Sequence, residues 1–239
     1  MTTAPGRSTH ETLITTIGRR ILSGGLQPAI TIDPTQLERE FSASRTAVRE
    51  ALRVLQGKGL IEARARAGTT VSARSNWALF DPVVLRWRFE LGADDALVDE
   101  LAEVRSIVEP EVARLAAERR TDRDIAEMAD AWEAMAAAQL SGGVSEQVEC
   151  DVAFHHALLR SAHNELLTQM GAVVEVGLRA RDQLVHTHLS LPVLQEHEAV
   201  LTAVRRSRPR AAKLAMRALL DRSVHDIGRL REVLRTPAD

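Results

Sequence analysis

The sequence predicts a mainly α-helical chain in two parts: a small N-terminal unit of three helices closed by a two-stranded wing, and an all-helical antiparallel bundle of six or seven helices. Three observations predict this. Aromatic residues make up only 3% of the chain and tyrosine is absent, whereas sheets favour aromatic and β-branched side chains. Ala, Leu, Arg and Glu, all good helix formers, dominate instead. Apolar residues recur at helical spacing everywhere except after Leu60, where the period shortens toward that of a strand. A chain of 239 residues is long enough for two domains, and we draw them at 1–75 and 95–239, with a linker over 76–94.

Leu13, Ile14, Ile17, Ile21 and Leu22 form one apolar stripe, which predicts a first helix, and Gly24 and Gly25 end it. Asp33 before Pro34 has the form of an N-cap with proline at the first helical position. Leu37 and Phe41 then supply the buried face of a short second helix. Ser44 is the natural N-cap of a third helix, in which Val48, Ala51, Leu52 and Leu55 face inward; Gly57 and Gly59 mark its end. Arg45, Arg49 and Arg53, in steps of four, fall on one stripe about a quarter-turn or more from the apolar centre. Residues 60–64 and 69–72 predict two strands around a loop containing Gly68, which makes the unit a winged helix-turn-helix.

Charge divides in the same place. The whole chain has a formal charge of −2, but residues 1–75 hold 11 basic and 6 acidic residues, a net of +5. The remaining 20 basic and 27 acidic residues carry −7. The first part therefore suits phosphate and the second repels it as a whole. An arginine fork can take guanine O6 and N7 together, while Ser44 and the amides at the start of a helix can hold a phosphate.

The run Ser44-Arg45-Thr46-Ala47-Val48-Arg49-Glu50-Ala51-Leu52, followed by Leu55, Gly59-Leu60-Ile61, Arg64 and Gly68-Thr69-Thr70-Val71, resembles the GntR superfamily of bacterial regulators. The resemblance implies double-stranded operator DNA as partner. Ser44, Arg45, Thr46 and Arg49 would meet bases and phosphates in the major groove, with Arg64 and the wing tip near Ala67 and Gly68 at the minor groove. One departure is visible: the family commonly has an arginine two residues before the leucine matching Leu37, and this chain has Thr35.

Between the two parts, Trp77, Phe80, Val84, Leu85 and Trp87 make the linker apolar enough to dock on a neighbouring surface. Beyond it the chain reads as helices broken near Thr121-Asp122, Ser141-Gly142-Gly143, His163-Asn164, Ser190-Pro192 and Ser207-Pro209. Asp151 and His155 lie four apart, so a helix presents both on one face where they can share a cation. With His197 on a later helix they form a carboxylate and two-imidazole set that suits Zn, Ni, Mn or Fe.

Glu103-Val104-Arg105 with Glu109, Asp151-Val152-Ala153-Phe154-His155, Ala162-His163-Asn164 and Glu196-His197 are similar to the FadR-like subfamily, whose effector domain is the all-helical FCD domain. That resemblance spans 95–235. It implies a divalent metal held by Asp151, His155 and His197 beneath a carboxylate effector, with Arg105 facing the pocket, where a guanidinium can clamp a carboxylate. The fourth family ligand, a histidine on the last helix, is replaced by Leu219, and His225 is six residues too far along to substitute. The other reading of Arg105 is a helix-surface ion pair with Glu109. His186 and His188 are further candidates for the pocket, and His156 and His163 read as structural.

The stretch from Asn76 to Trp87 looks like the linker of a subgroup that includes galactonate-responsive repressors, which makes sugar acids the leading effector class. The expected function is then a homodimeric repressor released from its operator by a small carboxylate. Two alternatives stand beside it: a regulator whose effector pocket has decayed, with Leu219 as the symptom, and a metal-dependent enzyme built on Asp151, His155 and His197. No nucleophile-plus-base pattern, phosphate loop or HExxH motif supports the enzyme. Cys150 is the only cysteine, and there is no apolar N-terminal stretch or membrane-length run, so a cytoplasmic location without membrane contact is expected.

Overall fold

The computed structural model describes residues 9–64, 68–92, 95–141, 143–185 and 191–235. The chain separates into two compact units, Met1–Gly92 and Ala93–Asp239, each with its own core.

The first unit is built on α1 (Thr9–Leu22), α2 (Pro34–Glu40) and α3 (Arg45–Gly57). Leu13, Ile17 and Ile21 of α1 are buried, as are Leu37 of α2 and Val48, Ala51, Leu52 and Leu55 of α3. Burying one such side chain contributes about 1.5–3 kcal/mol, so the stripes hold the helices together. Both predicted caps form: the Asp33 side chain accepts from the Thr35 amide at 2.8 Å, and Ser44 Oγ accepts from the Ala47 amide at 3.2 Å.

The wing strands β2 (Ile61–Arg64) and β3 (Gly68–Val71) pair antiparallel, with Arg64 opposite Gly68. A third strand, β1 (Thr31–Ile32), joins the far edge of β3 in the order β1-β3-β2. The sheet therefore has one strand more than the two expected. Two residues are too few to set up an alternating pattern, and only buried Ile32 marks the site.

Residues 76–92 belong to the first unit. Asp81 caps α4 (Pro82–Glu90), accepting from the Val83 and Val84 amides, and Lys58 Nζ reaches both of its oxygens at 2.9 Å. Burial opposes ionisation of Asp81, but Lys58 and the two amides outweigh it and hold the carboxyl below its ordinary value. Trp87 is buried in the core formed by α1 and α3. It lies over Gly18, where a Cβ would come within 2.3 Å of its ring. Glycine is needed there for that close approach.

The second unit holds seven helices among the described residues: α5 (Asp95–Arg119), α6 (Asp122–Ser141), α7 (Val144–Ser161), α8 (Glu165–Gln169), α9 (Gly171–Val185), α10 (Leu191–Arg205) and α11 (Pro209–Arg235). Breaks fall near Thr121-Asp122, Gly143, His163-Asn164 and Ser207-Pro209 as read, and a further one at Met170 separates α8 from α9. Ser190 lies outside the described residues. Lys213 pairs with Glu111 and Arg231 with Asp95 and Asp99, so α11 runs antiparallel to α5. No helix of the described residues is long and apolar enough to cross a membrane.

Candidate functional site

Arg45, Thr46, Arg49 and Arg53 of α3 and its N-cap Ser44 are all exposed, with the arginine stripe turned away from the side chains the helix buries. Arg53 is held by Glu50 at 2.9 Å, whereas among the described residues Arg45 and Arg49 have no carboxylate partner. Their forks face solvent free to meet another anion. Gly68 is exposed with φ of +76°, a left-handed conformation that glycine adopts without steric cost. Arg64 ends β2, while its side chain and Ala67 lie outside the described residues. Thr35 donates its amide to the Asp33 cap.

The second site lies inside the helical unit. Asp151 and His155 stand one turn apart on α7, and α10 brings His197 to them; one ligand atom from each lies within 4.8 Å of the others. All three side chains are buried, between 0% and 2% exposed. His197 Nε2 is 3.0 Å and His155 Nε2 3.4 Å from the same Asp151 oxygen, Oδ1. Phe154, fully buried, meets both imidazoles edge-on and closes one side.

The outer edges of the two rings decide what the inner edges can do. His197 Nδ1 donates to the Val193 carbonyl at 2.8 Å, and His155 Nδ1 donates to the Glu109 carboxylate at 2.5 Å. Each neutral ring therefore turns the lone pair of Nε2 toward Asp151. Two nitrogen lone pairs and a carboxylate oxygen converge with no hydrogen of their own between them. Such a set repels itself unless a cation lies within it. Protons on the imidazoles are one solution, and a divalent metal is the other. The donor set of one carboxylate and two imidazoles, each oriented by a second hydrogen bond, fits Zn, Ni, Mn or Fe.

The surroundings reinforce this. Arg105, one turn before Glu109 on α5, donates Nε to Glu109 Oε1 at 2.5 Å. The ion pair read from the i,i+4 spacing exists, but it is buried at 5% and 1% exposure rather than lying on the helix surface. Burial resists ionisation of Glu109, yet Arg105 and His155 hold its carboxyl at about 2. Burial likewise disfavours charge on Asp151, and protonated His155 and His197, which then donate to it, together with nearby Arg181 keep it well below the usual carboxylate range. His155 is pushed up, because Glu109 and Asp151 outweigh its desolvation.

Two participants were not singled out from the sequence as part of this set. Glu109, which the sequence pairs with Arg105, also orients His155. Arg181, on α9, approaches Asp151 Oδ2 at 3.4 Å and pairs with Asp182 at 2.9 Å. The sequence around Arg181 carries no clear signal, because α9 also holds Glu175 and Arg179, which pair on the outside of the helix. Gly177, one turn before Arg181, leaves room for Arg105, whose Cδ would be 2.9 Å from a Cβ there. Leu219 is buried in the apolar core, so it supplies no fourth ligand, and His225 is exposed. His186 and His188 lie outside the described residues.

An exposed arginine-bearing recognition helix joined to a bundle with a buried ligand-type cluster defines a DNA-binding regulator that carries its own sensor domain. Residues 9–71 match the family described as bacterial regulatory proteins, gntR family, and residues 100–222 match the FCD domain. The chain belongs to the GntR family of transcription regulators, in the FadR-like group with an FCD domain. The galactonate operon transcriptional repressor of Escherichia coli (strain K12) is 33% identical over 226 residues, covering 92% of this chain and 96% of that protein. The HTH-type transcriptional regulator LutR of Bacillus subtilis (strain 168) is 34% identical over 215 residues, covering 87% and 95%. A solved structure of the Listeria monocytogenes regulator Lar superposes with a TM-score of 0.64 at 14% identity, over 95% of this chain and all of that one; it speaks for the fold alone. These relatives are regulators, so the enzyme alternative falls away.

Proposed function

We propose that the chain acts as a homodimeric repressor, released from a palindromic operator when a small carboxylate, a sugar acid foremost, binds the helical unit. The observation that carries this reading is the convergence of Asp151, His155 and His197 on one point beside buried Arg105. The full-length likeness to a galactonate operon repressor supports the effector class. Ser44, Arg45, Thr46, Arg49, Arg64 and Gly68 are the DNA-contacting residues in this reading. Arg45 and Arg49 read bases or phosphates, and the wing enters the adjacent minor groove. A dimer would match half-sites about one helical turn apart.

In the helical unit, Asp151, His155 and His197 would hold the metal, while Glu109 and the Val193 carbonyl fix the two rings. Bound metal supplies a Lewis-acidic grip on a carboxylate oxygen. Arg105 orients the other end of that anion, and Phe154 keeps one side of the cluster apolar. Effector binding changes operator affinity only as far as it favours one arrangement of the DNA-reading units over another.

The test is thermal-shift titration of protein loaded with Zn²⁺, Ni²⁺ or Mn²⁺ against galactonate, other sugar acids and small carboxylates, paired with operator release followed by fluorescence anisotropy. A ligand that raises the melting temperature and releases DNA supports the reading. A screen in which no carboxylate does either would overturn it and leave the bundle as a dimerisation body.

A further inference from the structure

A concentrated patch of positive charge lies in the second unit. Arg205, Arg206, Arg208 and Arg210 fall within six residues across the turn from α10 to α11, in a part of the chain whose overall balance is acidic. Arg205, Arg206, Arg208 and Arg210 are all exposed, and none is paired with a carboxylate among the described residues. The neighbouring acids are already engaged: Glu111 by Lys213 and Arg114, Glu118 by Arg114, and Asp122 by Arg120. No acidic residue stands in the first turn of α11 either.

The turn is also held in one shape. Ser207 adopts φ of +49°, and the amides of Ser207 and Arg208 return to the carbonyls of Val204 and Ala203, both at 3.0 Å. That is a Schellman closure with serine where glycine is usual. Pro209 fixes the next φ, and Arg120 Nη2 donates to the Arg205 carbonyl at 2.8 Å, tying the turn to the end of α5. Arg208, Arg210 and Arg114 line a groove of about 580 Å³ beside it, together with Glu118, whose carboxylate is taken up by Arg114. Four unpaired positive charges within six residues repel one another, and the fixed turn keeps their Cα positions clustered. The arrangement lowers its energy by taking up an anion of high charge density. All four residues are arginine and none is lysine, so the patch presents planar forks that bind phosphate oxygens in pairs.

We propose that the α10–α11 turn is a second phosphate-binding surface of this regulator, separate from its recognition helix, which seats closely spaced phosphate groups. Their source is either a free oligophosphate or the phosphodiester backbone of nucleic acid, and the two are separable by experiment.

The full-length protein is titrated calorimetrically with inorganic tripolyphosphate, and its affinity for duplexes carrying the operator alone or with long flanks is measured by anisotropy. Both are repeated with the double variant Arg208→Gln/Arg210→Gln. For a free oligophosphate, tripolyphosphate binds once per chain, the variant weakens it at least tenfold, and flank length has no effect. For a phosphodiester, the longer duplex binds at least several-fold tighter than the short one and the variant removes that gain. An Arg208→Lys/Arg210→Lys variant keeps the charge and lacks the forks, so it falls between wild type and the glutamine pair; it also serves if the latter misfolds. Equal behaviour of wild type and both variants in both arms would overturn the proposal. So would loss of tripolyphosphate binding in Arg45→Gln/Arg49→Gln alone, which would assign the anion to α3.

Discussion

Glu109 binds the Nδ1 edge of His155 at 2.5 Å from a different helix, and so determines which nitrogen of that imidazole faces Asp151. Replacing Glu109 with Gln removes the charge while nearly keeping the shape. Partners of this kind typically set metal affinity within about 10–100-fold. Glu109→Gln is therefore expected to weaken divalent-metal binding by that range, measured by competition with a chelating dye. Unchanged affinity would mean that the ring is oriented without Glu109.

Arg105 needs a gentle substitution, because deleting it strands buried Glu109 and breaking a buried pair costs about 3–5 kcal/mol. Arg105→Lys retains the charge and loses the fork. Effector response is expected to fall about tenfold or more, in line with the loss of a charge-assisted hydrogen bond worth about 1.5–3 kcal/mol, while operator binding without effector stays as in wild type. Loss of both activities would indicate a folding defect.

On α3, Arg45 and Arg49 are free and Arg53 is engaged by Glu50. Alanine at Arg45 or Arg49 should each cost about 1–3 kcal/mol of operator affinity where a base is read, or lower the salt slope by about 1 where a phosphate is met. Arg53→Ala should do less. Anisotropy titrations over a series of salt concentrations distinguish the three, and a dominant Arg53 effect would contradict this reading of the helix face.

Gly18 offers a packing test. Alanine in mid-helix normally gains about 0.5–1 kcal/mol over glycine, but here the added carbon would lie 2.3 Å from the Trp87 ring. Overpacking typically costs about 1–3 kcal/mol, so Gly18→Ala should destabilise the first unit in denaturant melts. Combined with Trp87→Leu, the second change should cost much less than either change predicts alone.

Asp81 has a carboxyl held below its ordinary value, although burial works against it, by Lys58 and by the amides of Val84 and Val83. A depressed folded value means that the stabilisation is complete above the unfolded value of about 3.9 and disappears as pH falls through the folded one. Asp81→Asn keeps a capping oxygen and loses the charge. It should be less stable than wild type by about 1 kcal/mol at neutral pH, with the gap closing below about pH 4 in urea melts. A gap independent of pH would exclude the ion pair as its source.

Much of the fold was legible because it is local. The stripes of α1 and α3 repeat at helical spacing, and the caps at Asp33 and Ser44 announce themselves. β1 was not legible, since a two-residue strand has no period. Nor was α4, because in its nine residues Arg86, Arg88 and Glu90 alternate with Leu85, Trp87 and Phe89, a spacing of two that blurs the helical period. At the buried cluster, the spacing of Asp151 and His155 places them together on one helix face, whereas His197, on a later helix, joins them only as a matching ligand type, with no spacing rule to fix its position. Arg181 and the second role of Glu109 depend on pairings between helices far apart in sequence, for which no spacing rule exists.

The attachment of Trp87 and Asp81 to the three-helix unit bears on how regulators of this type can be recombined. A hybrid sensor made by exchanging bundles needs its junction after Gly92, where the first compact unit ends. A cut after residue 75 would strip Trp87 from the core it helps to fill and leave Lys58 without its partner. The donor bundle would then carry an unsupported apolar helix, and the recipient head would be left with an open seam along α1. Chimeras joined at the two positions should differ first in solubility and folding yield, before any difference in what they sense.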